Sequence, residues 1–290
     1  MIFWRMNNDT KVTILLTVYK NTDFLIDCLQ SIINQTHKNW ELIIWDDCPE
    51  DSDSEIMIKN FLEKTNKKID YLYIKNIKNL GIVWNLQNLL NHSDQESKFI
   101  TILESDDVRK INYLEAKISA SIQFWIDCIF SDFDVIDKDW KLIDKIFSQR
   151  HWFIKRMKPY EIILFDHKIF SYSNFFSSKE SLLSVWWFVD NVGNNNMISD
   201  WDLYFRLLQK YNSYGIKEKI WKYRIHGNNF SMQKSWLVLQ LWKNLKFYNF
   251  SKFYYFLFVL KNIFKIFYSI GTKSFKKIDF YRNISFILYW

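Results

Sequence analysis

Two apolar runs that each end in acidic residues constrain this chain more than any other feature. Ile43, Ile44 and Trp45 lead into Asp46 and Asp47, and residues 99–103 (FITIL) lead into Glu104, Ser105, Asp106 and Asp107. Unbroken apolar runs of this length suit strands covered on both faces of a sheet. Their terminal carboxylates then sit at the rim, and open α/β sheets bind ligands in the crevice beyond the carboxyl ends of their strands. Two acidic clusters on one rim make an oxygen-rich site suited to a hard divalent cation that carries phosphates. One doublet alone reads as a solvated turn, where Asp is common. Its repetition in the same strand-end context favours a site.

The segments around these runs alternate between two periods. Strands are predicted over residues 12–18, 41–45, 70–74 and 98–103, and helices over 54–64, 83–90 and 113–124. Between the first two strands, Phe24, Leu25, Cys28, Leu29, Ile32 and Ile33 recur at helical spacing, with Asn21 or Thr22 as the candidate cap. This order predicts an α/β fold with a mostly parallel central sheet, Rossmann-like in its crossovers. No strand is followed by GxGxxG or a P-loop.

Charge is uneven along the chain. Residues 236–290 carry eight Lys and one Arg against one Asp, a net of +8, whereas the whole chain is +7. The preceding domain is therefore close to neutral, which argues against a nucleic-acid face on it. The three cysteines, Cys28, Cys48 and Cys128, have no metal-type spacing, and residues 1–10 lack the apolar core of a signal peptide. Both point to the cytoplasm.

At this level the chain resembles the family 2 glycosyltransferases. Residues 12–21 (VTILLTVYKN) are similar to the family's opening strand and turn, and residues 28–36 (CLQSIINQT) to its first helix and "SILNQT" ending. Residues 41–47 resemble "EIIIVDD", Asn79–Gly81 the "NxG" turn, and residues 103–107 the "LDADD" metal motif. Residues 199–207 (SDWDLYFRL) resemble "EDWDLWLRL", and residues 223–231 (YRIHGNNFS) the "YRIHGNNxS" ending. The resemblance covers residues 11–231 with the motifs in the family's order. It implies a GT-A fold over residues 11–232, with a nucleotide-sugar half (11–108) and an acceptor half (109–232). Residues 1–10 form an extension, and 233–290 a helical, basic, aromatic tail.

The implied activity is inverting transfer of a sugar from a nucleotide diphosphate, with UDP-sugar first by family frequency. The acceptor would be a saccharide or lipid-linked hydroxyl in cell-surface polysaccharide or lipopolysaccharide synthesis, and the cofactor Mg²⁺ or Mn²⁺. By the same resemblance Asp106 ligates the metal with His226, Glu104 and Ser105 lie nearer the ribose, and Asp46 and Asp47 face the base or ribose. Thr17, Val18 and Tyr19 line that pocket, and Asp200 is the catalytic base. Several candidates have a plainer alternative: Asp107 as a helix N-cap beside the metal motif, Tyr19 as core filler, Asp132 as a turn carboxylate rather than an acceptor contact, Asp200 as a cap. Arg224 pairs either with a phosphate or with Asp202, and His226 is either a ligand or structural.

Several family glycines are replaced by larger residues: Cys48 after the first doublet, Trp140 in the "DxDGKL" turn, and Trp186 and Trp187 before the acceptor region. Where such a glycine supplies a positive φ, its replacement is strained, and Trp187 would narrow the acceptor pocket. In the tail, residues 253–260 are apolar but too few to span a bilayer. Lysines among aromatics there suit a helix lying on an anionic membrane surface, with a helix docked on the domain as the alternative. Two rivals accompany this reading. One is a catalytically degenerate GT-A scaffold; the other is a nucleotidyltransferase, disfavoured by the missing Gly-rich triphosphate loop.

Overall fold

A computed structural model describes residues 9–20, 22–50, 53–65, 68–144, 152–154, 156, 171–185, 199–227 and 229. The first half alternates strand and helix: β1 (Val12–Val18), α1 (Leu25–Ile33), β2 (Trp40–Asp46), α2 (Asp53–Lys64), β3 (Tyr71–Lys75), α3 (Ile82–Asn91) and β4 (Phe99–Glu104). There follow β5 (Val108–Arg109), α4 (Tyr113–Phe124), β6 (Cys128–Asp137), β7 (Leu142–Asp144) and β8 (Trp152–Ile154). A 3₁₀ turn (Tyr172–Asn174), β9 (Phe176–Ser178), α5 (Lys179–Val185), α6 (Ser199–Lys210) and β10 (Ser213–Ile225) complete the described elements.

The strands form one sheet in the order β3-β2-β1-β4-β9-β6-β10-β5, with β7 added to β6 and β8 to β10. The pairs β1–β2, β1–β4, β2–β3 and β6–β10 are parallel, while the short β9 joins the two parallel blocks antiparallel to both β4 and β6. The sheet is therefore mixed, with its long ladders parallel.

Residue parity divides the core into two layers. Val12, Ile14, Leu16 and Val18 of β1, with Leu42 and Ile44 of β2, pack beneath α1, α2 and α4. Leu15, Ile43, Ile100 and Ile102 face the other way, against α3, α5 and α6. Because side chains alternate across a strand, the continuous apolar runs serve both layers at once. Helix α1 buries Leu25, Cys28, Leu29, Ile32 and Ile33, the face its periodicity predicts. Its cap differs from expectation: Phe24 holds that position without a side-chain bond, and the Leu25 N–H donates to the Thr22 carbonyl at 3.2 Å.

Helix α4 ends on Trp125 in the left-handed region (φ 55°), with the residue 89% exposed. That position usually takes glycine, because a Cβ is crowded there.

Candidate active site

The carboxyl ends of β1, β2 and β4 lie side by side, since Thr17 is in register with both Trp45 and Glu104, and Val18 with Asp46. The sequence motifs at these ends therefore meet on one rim. Beyond β4 the chain turns through Glu104, Ser105, Asp106 and Asp107 before entering β5. Asp106 Oδ2 meets His226 Nε2 at 3.0 Å and accepts from Asn229 Nδ2 at 3.2 Å, joining segments 120 residues apart. Asn229 also accepts from the His226 N–H at 2.8 Å and donates to the Arg224 carbonyl at 2.8 Å, which shapes the turn at Gly227 (φ 82°).

The acidic turn concentrates negative charge. Burial pushes the Glu104 carboxyl well above the ordinary carboxylate range, and the charges of Asp106, Asp107 and Asp200 add to this. Ser171 Oγ donates to Glu104 Oε2 at 3.4 Å, and the Glu104 N–H donates to Ser173 Oγ at 3.1 Å. Asp107 is fully buried and also pushed well up, first by burial and then by Asp106, while its Oδ1 accepts the Arg224 N–H at 2.9 Å. It does not cap a helix: β5 follows it, and α4 is capped by Asn112. A buried group of carboxylates that repel one another is the setting in which a bound cation lowers the free energy most.

The first doublet is committed to protein donors. Asp46 accepts from the Cys48 N–H at 3.0 Å, Ser54 Oγ at 2.5 Å and Tyr73 Oη at 2.8 Å, tying β2 to α2 and β3. Asp47 accepts from Asn76 Nδ2 at 2.6 Å, the Leu80 N–H at 2.8 Å and the Gly81 N–H at 2.8 Å. Gly81 caps α3 at φ 79° and ψ 160°, a conformation almost restricted to glycine, so the Asn79–Gly81 turn folds onto the Asp47 carboxylate. Val18 packs its side chain in the core and offers its carbonyl to the Asp47 N–H at 3.0 Å, whereas Tyr19 is 47% exposed at the rim and is not core filler.

Arg224 holds the site together from beneath. Its side chain is fully buried, and Nε donates to the Asp106 carbonyl at 3.0 Å, Nη1 to the Lys138 carbonyl at 3.4 Å and Nη2 to Asp27 Oδ2 at 3.0 Å. The expected alternative pairing with Asp202 is not formed, because α6 places Asp202 one turn before Arg206, which takes it at 2.5 Å. The rings of Phe24 and Trp140 lie 4.5 and 4.6 Å from the Arg224 Cζ, and Phe24 also packs against His226 at 5.0 Å. Trp140 has φ 66°, as expected of a residue standing where a turn favours glycine; Cys48 has no positive φ, so the strain expected there is absent.

Asp200 lies in the first turn of α6, inside the helix that begins at Ser199 rather than at its cap, and its charge reaches Glu104. Asp132 is not in a turn. It sits within β6, buried at the irregular register with Lys219, where burial raises its carboxyl to about 6 against the opposing pull of Lys219 and Lys217. Trp186 and Trp187 and residues 233–290 lie outside the described residues.

Ser171, Ser173 and Asn174 went unnoticed in the sequence although they buttress the site. Asn174 Oδ1 accepts from the buried Lys117 Nζ at 3.0 Å and bonds Ser131 of β6, which fixes the 3₁₀ turn beneath Glu104. Only the concentration of serines near residue 171 hinted at them.

Residues 13–183 match Glycosyl transferase family 2. The chain belongs to this family. A glycosyltransferase of Rickettsia conorii, itself uncharacterised, is 31% identical over 150 residues, covering 49% of this chain and 22% of that protein. The chain thus spans about a fifth of that relative's length. TuaG of Bacillus subtilis, a glycosyltransferase named for teichuronic acid biosynthesis, is 23% identical over 243 residues, covering 81% of this chain and 90% of its own. In structure, residues 1–349 of Staphylococcus aureus TarS in complex with UDP-GlcNAc superimpose with a TM-score of 0.62 at 12% identity, covering 80% of this chain and 64% of that one. The fold of this family 2 chain is therefore the GT-A fold.

Among the described residues no three His, Cys, Asp or Glu side chains form a closed metal cage. The donor set nevertheless fits a divalent cation of the phosphate-carrying kind. Such an ion takes one or two protein ligands and fills its other positions with phosphate oxygens and water. Asp106 and His226, already in contact and fixed by Asn229 and Arg224, are the two that would hold it. No helix among the described residues is long and apolar enough to cross a membrane.

Proposed function

We propose that this family 2 protein is an inverting glycosyltransferase that uses a nucleotide-diphosphate sugar and a divalent cation. The contact of Asp106 with His226 at 3.0 Å, beside Glu104 on the rim of β1, β2 and β4, carries the reading. A sugar nucleotide brings two phosphates to a crevice already crowded with carboxylates, so Mg²⁺ or Mn²⁺ on Asp106 and His226 would neutralise the charge on the departing diphosphate. Thr17, Tyr19 and Ser105 border the nucleoside end, within a rim stiffened by Asp46 and Asp47.

Asp200 serves as general base. Its carboxylate takes the proton of the acceptor hydroxyl as that oxygen bonds the anomeric carbon. On the opposite side the carbon–oxygen bond to the diphosphate breaks, and the diphosphate keeps the electron pair. A single displacement of this kind inverts the anomeric centre. UDP is the favoured nucleotide, since the structural neighbour TarS is seen with UDP-GlcNAc. A saccharide or lipid-linked acceptor in cell-surface polysaccharide synthesis fits the TuaG relationship. The basic tail suits a position at the membrane surface near such an acceptor.

Calorimetric titration of UDP and GDP with Mn²⁺ tests this directly. Metal-dependent binding of one nucleotide, lost in Asp106→Ala, is expected, and Asp200→Asn should bind but not transfer. A folded wild-type protein that binds neither nucleotide would overturn the proposal.

A further inference from the structure

Arg224 is unusual in how completely it is used. Three of its nitrogens address three different segments: α1 through Asp27, the acidic turn through the Asp106 carbonyl, and the turn after β6 through the Lys138 carbonyl. Its own backbone N–H holds Asp107, and its carbonyl takes Asn229. Hydrogen bonds fix the guanidinium within its plane and leave tilting out of that plane to be restrained by whatever covers it. Here the cover is aromatic, Phe24 at the start of α1 and Trp140 in the turn after β6.

Trp140 occupies a left-handed backbone position that costs a bulky side chain free energy, and the residue is 44% exposed. Simple burial does not account for it. Its ring instead lies 4.6 Å from Arg224 Cζ and 4.8 Å from Lys222 Nζ, an electrostatic reward for an aromatic face that an aliphatic side chain cannot supply. Phe24 extends the same stack to His226, whose Nε2 reaches Asp106.

We infer that Trp140 and Phe24 clamp the Arg224 guanidinium, and that this clamp positions the Asp106–His226 pair that the donor site requires. Trp140, Phe24 and Arg224 are positioning residues; none of them needs to touch the donor. The inference rests on the proposed role of Asp106 and His226, and its test separates the two.

The test uses the full chain with four variants: Trp140→Phe, Trp140→Leu, Arg224→Lys, and Arg224→Lys with Trp140→Leu. The first readout is Mn²⁺ affinity in saturating UDP, from the electron paramagnetic resonance of free Mn²⁺. Arg224→Lys should weaken it by about tenfold or more, in the range found when groups that orient metal ligands are removed. Trp140→Leu should weaken it by several-fold, and Trp140→Phe should stay within about twofold of wild type, because only the aromatic face matters. The double variant should be no weaker than Arg224→Lys alone, since both changes disable one device. The second readout needs no metal: the His226 ring-proton resonance, shifted by the Phe24 ring current, should move in Trp140→Leu and Arg224→Lys and hold in Trp140→Phe. Wild-type behaviour of Trp140→Leu in both readouts, or a double variant that loses the product of the single losses, overturns the clamp. If wild type binds no Mn²⁺, the donor-site reading fails while the His226 resonance still decides whether the clamp exists.

Discussion

Replacing Asp47 by Ala should destabilise the protein chiefly by releasing one loop. Asp47 is 4% exposed and its carboxylate accepts three hydrogen bonds, from Asn76 Nδ2 and the Leu80 and Gly81 N–H groups, all between 2.6 and 2.8 Å. Bonds to a charged acceptor contribute about 1.5–3 kcal/mol each, but donors that regain water recover much of that. The loop can rehydrate at its tip, where Ile77 is 97% exposed, whereas Asn76 is 8% exposed and stays dry. The full cost therefore falls on the Asn76 bond and only a fraction on each backbone bond, for a total of about 3 kcal/mol. For a domain of this size that lowers Tm by about 6–12 °C. Asp47→Asn keeps one acceptor oxygen and should cost about 2 kcal/mol. Denaturant unfolding gives the free energies, and amide hydrogen exchange at Leu80 and Gly81 should accelerate in parallel. An Asp47→Ala protein within about 1 kcal/mol of wild type, with those amides still protected, would refute the assignment of this carboxylate to the loop.

Two further outcomes follow from features away from the rim. Trp125→Gly should raise stability by about 1 kcal/mol, because the left-handed cap of α4 costs a side chain about that much and the exposed indole recovers little by packing; a loss of stability in denaturant titration would show that the ring has a role. Asp132 should make stability fall as pH rises from about 4 to beyond 6. Its folded pKa of about 6 exceeds the unfolded value near 3.8, so the native state holds the extra proton in that window and its advantage disappears above it. Asp132→Asn should flatten that slope in unfolding experiments at pH 4, 5, 6 and 7.

The elements of the first half were legible because each strand and helix pairs a clear period with a clear end. The 113–124 helix was placed to the residue, and β1 likewise. What went unread has a common cause. The strands β5 and β9, of two and three residues, carry too few side chains to show a period, and their existence depends on the ladders beside them. Strand β10 mixes Lys217, Glu218 and Lys219 into an irregular register and so lacks alternation. The acidic motifs meet on one rim as their strand-end context implied, yet three of the six donors that occupy Asp46 and Asp47 are backbone N–H groups, which no sequence displays. Arg224 was singled out for its charge. Its partner Asp27 sits 197 positions away on α1, beyond the reach of local pattern.

The left-handed tryptophans Trp125 and Trp140 have different genetic consequences. At Trp125 a change to glycine is favourable whatever its neighbours are. At Trp140 the backbone cost, about 1 kcal/mol, is set against an aromatic–cation attraction that reaches about 2 kcal/mol when the cation is desolvated, as Arg224 is. Remove the guanidinium and most of the balance reverses, so the same Trp140→Gly change turns from harmful to helpful. Tryptophan at this turn is therefore less costly to a lineage in which arginine is already in place, and once tryptophan is fixed the arginine becomes harder to lose.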